Sequence, residues 1–279
     1  MIARSNREAL RQAALAERRK AIFERISQPK VIKAINEVGD VAAEMYTQGG
    51  EERMKNLLPE DGTAILTPVV NDIYQLVINT LGKEAKGDLK CWTPTMELKA
   101  TDDSIDVVTQ NLLNIFGQYA FEQSTIMAST LTDESIAAVA QYLSQDSDII
   151  DRGPRAVAIE IRKTARTLAP WKAEMIARTE IQMAYNEAQS DFTEELWDPS
   201  EDGQLYKKWF STRDRRVRDS HKKLNGRVVR QDEVFETSNK DELRYPGDRK
   251  ARKLESIINC RCSYSSIPEE LVPKRQRRG

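Results

Sequence analysis

"WDPSEDGQLYKKWFST", residues 197 to 212, is where the texture of the chain changes. Upstream, apolar residues recur at three- and four-residue spacing, the period of a helix that buries one face. At Asp198, Pro199, Asp202 and Gly203 that period breaks. The segments that follow, "LYKKWFST", "GRVVR", "EVF" and "CSYSSI", are short, rich in β-branched and aromatic residues, and separated by turn-forming residues. The fold class that follows is α+β: a mainly helical N-terminal two-thirds and then a small C-terminal α+β module with short antiparallel strands.

Outward from this boundary toward the N-terminus, "TPVVNDIYQLVINTLG" places Val69, Val70, Ile73, Tyr74, Val77, Ile78 and Leu81 on one stripe. Thr67 suits its N-cap, Pro68 its first turn and Gly82 a left-handed stop. Further helices are expected after Ser104, after Thr132, over "GPRAVAIEIRKTARTLA", and over the long stretch that Pro170 opens. The N-terminal "REALRQAALAERRKAIFERI" reads as a helix with an exposed surface. Three parts result: residues 1–150, a helical region for protein contacts; residues 151–200, the long-helix part with "IARTE"; and residues 201–279, the α+β module with a basic tail.

Toward the C-terminus, "DRRVRDSHKKLNG" reads as a short helix stopped by Gly226, and "RYPGD" as a type II turn with Pro246 and Gly247 at its centre. At about 75 residues the module is marginal for an independent core, and such modules usually dock or are stapled. Residues 201–279 carry 21 Lys and Arg against 13 Asp and Glu, a net +8, although the whole chain is at −1. A basic C-terminal part on an acidic remainder points to an acidic partner, nucleic acid among them, or to a solvated charged surface. The tail "PKRQRRG" contributes Lys274, Arg275, Arg277 and Arg278, candidates for phosphate contact without base reading. It has no interleaved aromatics on which single-stranded bases would stack.

No apolar run approaches the ~20 residues of a bilayer span, and the basic start has no continuous apolar stretch of the export-signal kind. The three cysteines are an odd number and are read as reduced thiols. Cys260 and Cys262 are too close to bridge without distorting the backbone. With His221, the single histidine, they admit three readings. The first is a packed cluster of thiols and a hydrogen-bonded imidazole, with no cofactor. The second is zinc, to which these three donors are good ligands and for which Asp214 or Asp219 would be the fourth. The third is a Cys-His-Asp nucleophilic set, but no nucleophile elbow or phosphate-cradling glycine loop accompanies it, and no catalytic residue is assigned.

The module's distinctive residues form an ordered series: Trp209, then "DRRVRDSH" with Asp214, Arg218 and His221, then Gly226, Phe235, Tyr245 and Pro246 of "YPGD", and Asn259, Cys260 and Cys262 of "NCRC". Arg178 and Glu180 of "IARTE", and Asn186, precede it. In this order, over about residues 171 to 267, the series resembles the phage Mu F-like minor head proteins, the head morphogenesis family of tailed phages. "KLNG" stands where members of that family often have a second histidine. The resemblance implies a non-enzymatic minor capsid protein of a tailed phage or prophage, made in the host cytoplasm and housed in the virion or procapsid interior. It implies portal protein and scaffold or coat protein as partners, and double-stranded DNA, met without sequence preference, during packaging or ejection. Two alternatives stand beside it: a zinc-stabilised nucleic-acid-binding module, and a nuclease or transferase-type enzyme. Arg178 and Glu180 are two apart on a helix and cannot pair with each other, so each looks outward; Glu180 is expected to meet an Arg of residues 213–218 and dock the helix on the module.

Overall fold

The computed structural model of the chain describes residues 2–90, 102–145, 153–212, 214–273 and 276. Three long helices come first: α1 (Ile2–Lys90), α2 (Asp102–Gln145) and α3 (Pro154–Leu196). These are fewer and longer than the periodicity predicts. The helical path of α1 breaks at Gly49 and Gly50, where Gly50 takes φ 68° and ψ −159°. Thr67 and Pro68 do not start a helix, because the Thr67 hydroxyl donates back to the Thr63 carbonyl (2.7 Å) and the helix continues through Pro68. Thr132 likewise donates to the Ala128 carbonyl (2.8 Å) inside α2. Pro170 lies inside α3, flanked by buried Ala169, Ala173, Ile176 and Ala177, so packing sustains the helix across the missing N–H. Gly82 is no stop. A Cβ there would lie 2.7 Å from Thr109 Oγ1 and 3.3 Å from Phe192 Cζ, so its role is close approach.

The chain divides into two compact units assembled from distant segments. One comprises residues 24–74 and 114–177. There the Tyr74 ring meets Phe116 edge-on (centroids 4.7 Å apart), and buried Lys172 pairs with Glu134 (2.5 Å). The other comprises residues 1–23, 75–113 and 178–279 and contains the strands.

After α3 the chain turns exactly where its composition changes. Asp198 accepts the Ser200 N–H (2.8 Å) and caps the single turn α4 (Pro199–Asp202), which ends at Gly203 with φ 75°. Strand β1 (Leu205–Phe210) is central in a three-stranded antiparallel sheet of order β2-β1-β5, between β2 (Val228–Arg230) and β5 (Ser263–Pro268). In register, Lys207 faces Ser266 and Trp209 faces Tyr264. Both faces of β1 are covered. Tyr206 and Phe210 pack with Ala9, Ala13, Val228, Ile267 and Val272, while Trp209 packs with Leu224, Val229, Phe235, Leu243, Cys260 and Cys262. The N-terminal segment of α1 is therefore not an exposed helix: Ala9, Ala13, Ala16 and Lys20 are buried. A second, two-stranded sheet joins β3 (Phe235–Glu236) to β4 (Glu242–Leu243), and the short helix α5 (Asp219–Lys222) holds His221. Among the described residues no helix is long and apolar enough to cross a membrane.

Candidate functional site

The "IARTE" turn of α3 and the "NCRC" segment lock together. Asn259 takes the left-handed conformation (φ 56°), which Asn tolerates better than most residues. This presents its groups to two successive residues of α3. Its backbone N–H donates to Thr179 Oγ1 (2.9 Å), and its Oδ1 accepts from Arg178 (2.7 Å). Arg218, from the "DRRVR" stretch, donates to the Ile258 carbonyl one residue earlier. Three motifs distant in sequence thus converge on one bend of the chain.

Beyond that bend the chain enters the cluster of His221, Cys260 and Cys262. All three are buried, and His221 Nδ1 lies 3.6 Å from Cys260 Sγ and 3.7 Å from Cys262 Sγ. The Trp209 ring meets the imidazole edge-on at 5.3 Å and Phe235 at 5.2 Å, closing the cluster on its apolar side. The hydrogen bond with Cys262 holds the Cys260 thiol down to about 7 against the effect of burial, with help from the Lys20 and Arg218 charges. Cys262 is pushed up by its bond to Cys260 and by burial, so Cys260 is the more acidic thiol of the two.

Residues next to this cluster tie it to the "YPGD" turn. Gln182 Nε2 donates to the carbonyls of Cys262 (2.6 Å) and Pro246 (3.4 Å), and Asn186 Nδ2 donates to Pro246 (2.5 Å). Lys20 donates to Gln182 Oε1 (2.7 Å) and to the Cys262 carbonyl (3.2 Å), and lies over the Tyr185 ring. Tyr245 is buried and stacks with Tyr264 at 6.1 Å. The turn is clamped by Asp248, whose Oδ2 accepts Arg244 N–H (2.9 Å) and Nε (3.0 Å) while Oδ1 accepts Arg244 Nη2 (2.6 Å) and Lys250 N–H (3.0 Å). Gly247, with φ 74°, occupies the position that the type II reading assigns it.

A band of buried charge runs beside the turn. Glu187 pairs with Arg249 (2.7 Å). Burial, then the Glu187 and Glu194 carboxylates, push Asp191 up to about 6, and Arg244 and Arg249 oppose them. Burial pulls Lys207 down to about 8 while its ammonium donates to the Gln231 carbonyl (2.8 Å).

Of the residues singled out by sequence, Arg178, Trp209, Arg218, His221, Tyr245, Pro246, Asn259, Cys260 and Cys262 are drawn into this connected region. Gly226, with φ 81°, closes the turn after α5, and its N–H donates to the Trp209 carbonyl (2.8 Å). Neither aspartate suits a fourth metal ligand: Asp214 is held by Arg261 (3.0 Å from Nη2) and Asp219 is exposed beside Lys222 (3.0 Å). Lys274, Arg275, Arg277 and Arg278 lie outside the described residues. Lys20 and Gln182 were not singled out by sequence. Neither sits in a motif, and a Lys in an Arg-rich helix carries no local sign of burial.

Glu180 is 1% exposed, which removes the solvated reading; residue 213 of the expected partner stretch lies outside the described residues. Glu180→Ala is expected to lower stability by about 1 to 3 kcal/mol, the cost of losing a buried charged hydrogen-bonding group. Thermal and urea unfolding check this, and an unchanged melting temperature would deny Glu180 a docking role.

A family model described as "Phage Mu protein F like protein" matches residues 147–265, a span that contains α3, the "NCRC" bend and most of the strands. No curated protein and no solved structure matches the chain.

Proposed function

We propose that this chain, which belongs through residues 147–265 to the phage Mu protein F-like family, is a minor head protein that acts in procapsid assembly near the portal vertex. The family's head morphogenesis role is the coarse function. One observation supports the finer reading: the family motifs build a docking joint between a long helix and a basic module. In this reading the helical segments meet portal and scaffold or coat protein, and the module meets an acidic surface. No catalytic step is assigned to the chain. Co-expression with the portal protein of the same phage, followed by capture on a tagged portal, tests the placement. Recovery of the chain with portal and in purified procapsids is expected, and absence from both would overturn it.

The C-terminal basic part is proposed to contact double-stranded DNA through phosphates, without sequence preference. Its support is the net +8 of residues 201–279. Such contacts release counterions, so log K is expected to fall linearly with log salt at about −0.9 per phosphate neutralised. Deleting residues 274–279 removes four positive charges and is expected to flatten that slope by up to ~3.6 units. Titrations of labelled duplex at several salt concentrations measure it. If the intact chain is not retained on DNA at low salt, or if truncation leaves the slope unchanged, the basic surface faces an acidic protein instead.

A further inference from the structure

We propose that His221 Nδ1, Cys260 Sγ and Cys262 Sγ bind one zinc ion that staples the C-terminal module, independently of any role in the phage head. The three donor atoms lie within 4.8 Å of one another, and all three residues are at most 2% exposed. The same imidazole nitrogen faces both sulfurs, at 3.6 and 3.7 Å. A tetrahedral zinc with Zn–S of ~2.3 Å and Zn–N of ~2.0–2.1 Å sets each N–S separation at ~3.6 Å. Both edges of that tetrahedron are therefore already in place. As hydrogen bonds, nitrogen-to-sulfur contacts of this length are weak, and ordinary packing does not require one nitrogen to address two thiols.

The chemistry of the donors selects the ion. Two thiolates and a neutral imidazole favour a soft or borderline divalent metal over magnesium or calcium, which take oxygen ligands. On binding, the two thiols release their protons to solvent, and two thiolates around a dication leave no net charge in a buried site. Among the described residues no fourth Cys, His, Asp or Glu joins the group, so the fourth position falls to a water molecule. The mechanical consequence follows from topology. His221 belongs to α5, whereas Cys260 and Cys262 precede β5, so the ion closes the whole loop that contains β2, β3, β4 and the "YPGD" turn. Small modules of this size often need such a staple.

The full chain, purified without chelator, is expected to carry about one zinc per molecule. Stripping it with a chelator should lower the melting temperature and make two further thiols reactive to a thiol reagent, and added zinc should reverse both. Cobalt(II) in its place should give a thiolate-to-metal charge-transfer absorption that is weakened in Cys262→Ser, lost when Cys260 is also replaced by Ser, and kept when the third cysteine is replaced in Cys91→Ser. Because Cys262→Ser can fail to fold, the chelation and readdition experiment on the native sequence stands as an independent measurement. Absence of bound zinc together with a melting temperature indifferent to zinc and chelator would overturn the proposal. So would a cobalt band of full intensity in Cys262→Ser.

Discussion

Trp209→Ala is expected to lower the unfolding free energy by about 3 to 5 kcal/mol, the range for emptying a large buried aromatic site. Trp209 is fully buried on the central strand, with His221 and Phe235 edge-on at 5.3 and 5.2 Å. Its main chain is equally committed: its N–H donates to the Arg227 carbonyl (3.0 Å) and its carbonyl accepts from Gly226 (2.8 Å). The strand cannot move away to close the cavity, so little of the loss is recoverable. Trp209→Phe should cost far less, because the indole N–H has no hydrogen-bond partner among the described residues and its removal relieves a buried orphan donor. Urea denaturation monitored by far-ultraviolet circular dichroism separates the two. A loss below about 1 kcal/mol for the alanine variant would mean that the ring is not a core element.

The change of texture at residue 197 was legible because it rests on several local signals in succession: Asp198 caps a new turn, Pro199 opens it and Gly203 closes it, so α3 has no way to continue. The division of the upstream helices was not legible, for an equally local reason. Thr67 and Thr132 are N-cap residues by type, but a threonine hydroxyl bonds as well to the carbonyl four residues back, and only tertiary packing decides between the two. Prolines 68 and 170 mislead in the same way. Strand β4, two residues long, carries no periodicity at all. Strand β1 buries both faces, so Lys207 sits inside although its charge would place it outside.

For the site, the ordered series picked out residues that the fold brings together, and the resemblance drawn from it named the family that residues 147–265 match. What the series concealed was the partner of each residue. Arg178 and Glu180, two apart on α3, read as looking outward, and Arg178 does so toward the side chain of Asn259. That contact depends on the left-handed backbone at residue 259, which "NCRC" does not disclose. Lys20 is a more severe case. It lies over 240 residues from Cys262, and nothing short of the folded chain shows that its ammonium reaches that carbonyl.

Asp248→Ala is the second large loss expected, about 3 kcal/mol or more, in the range for breaking a buried ion pair from one side. The Asp248 side chain is 3% exposed and accepts four hydrogen bonds, three from Arg244 and one from the Lys250 amide. Removing it leaves two backbone N–H groups and a guanidinium, itself 31% exposed, without their acceptor. The "YPGD" turn then loses its clamp, and with it the Pro246 carbonyl that Gln182 and Asn186 hold. Asp248→Asn should fall between the two, since one amide oxygen can still accept backbone N–H groups. The pH dependence supplies a second test. Burial raises the Asp248 carboxyl, but the Arg244 hydrogen bonds and charge outweigh it and hold the group below the usual carboxylate range. A group depressed in the folded state contributes stability that is present above its unfolded pKa and is lost as pH falls through the folded one. The native sequence should therefore lose more stability than Asp248→Asn when the pH is taken from neutral to below about 4. Equal acid sensitivity in the two, or an alanine variant as stable as the native chain, would show that the turn holds without its carboxylate.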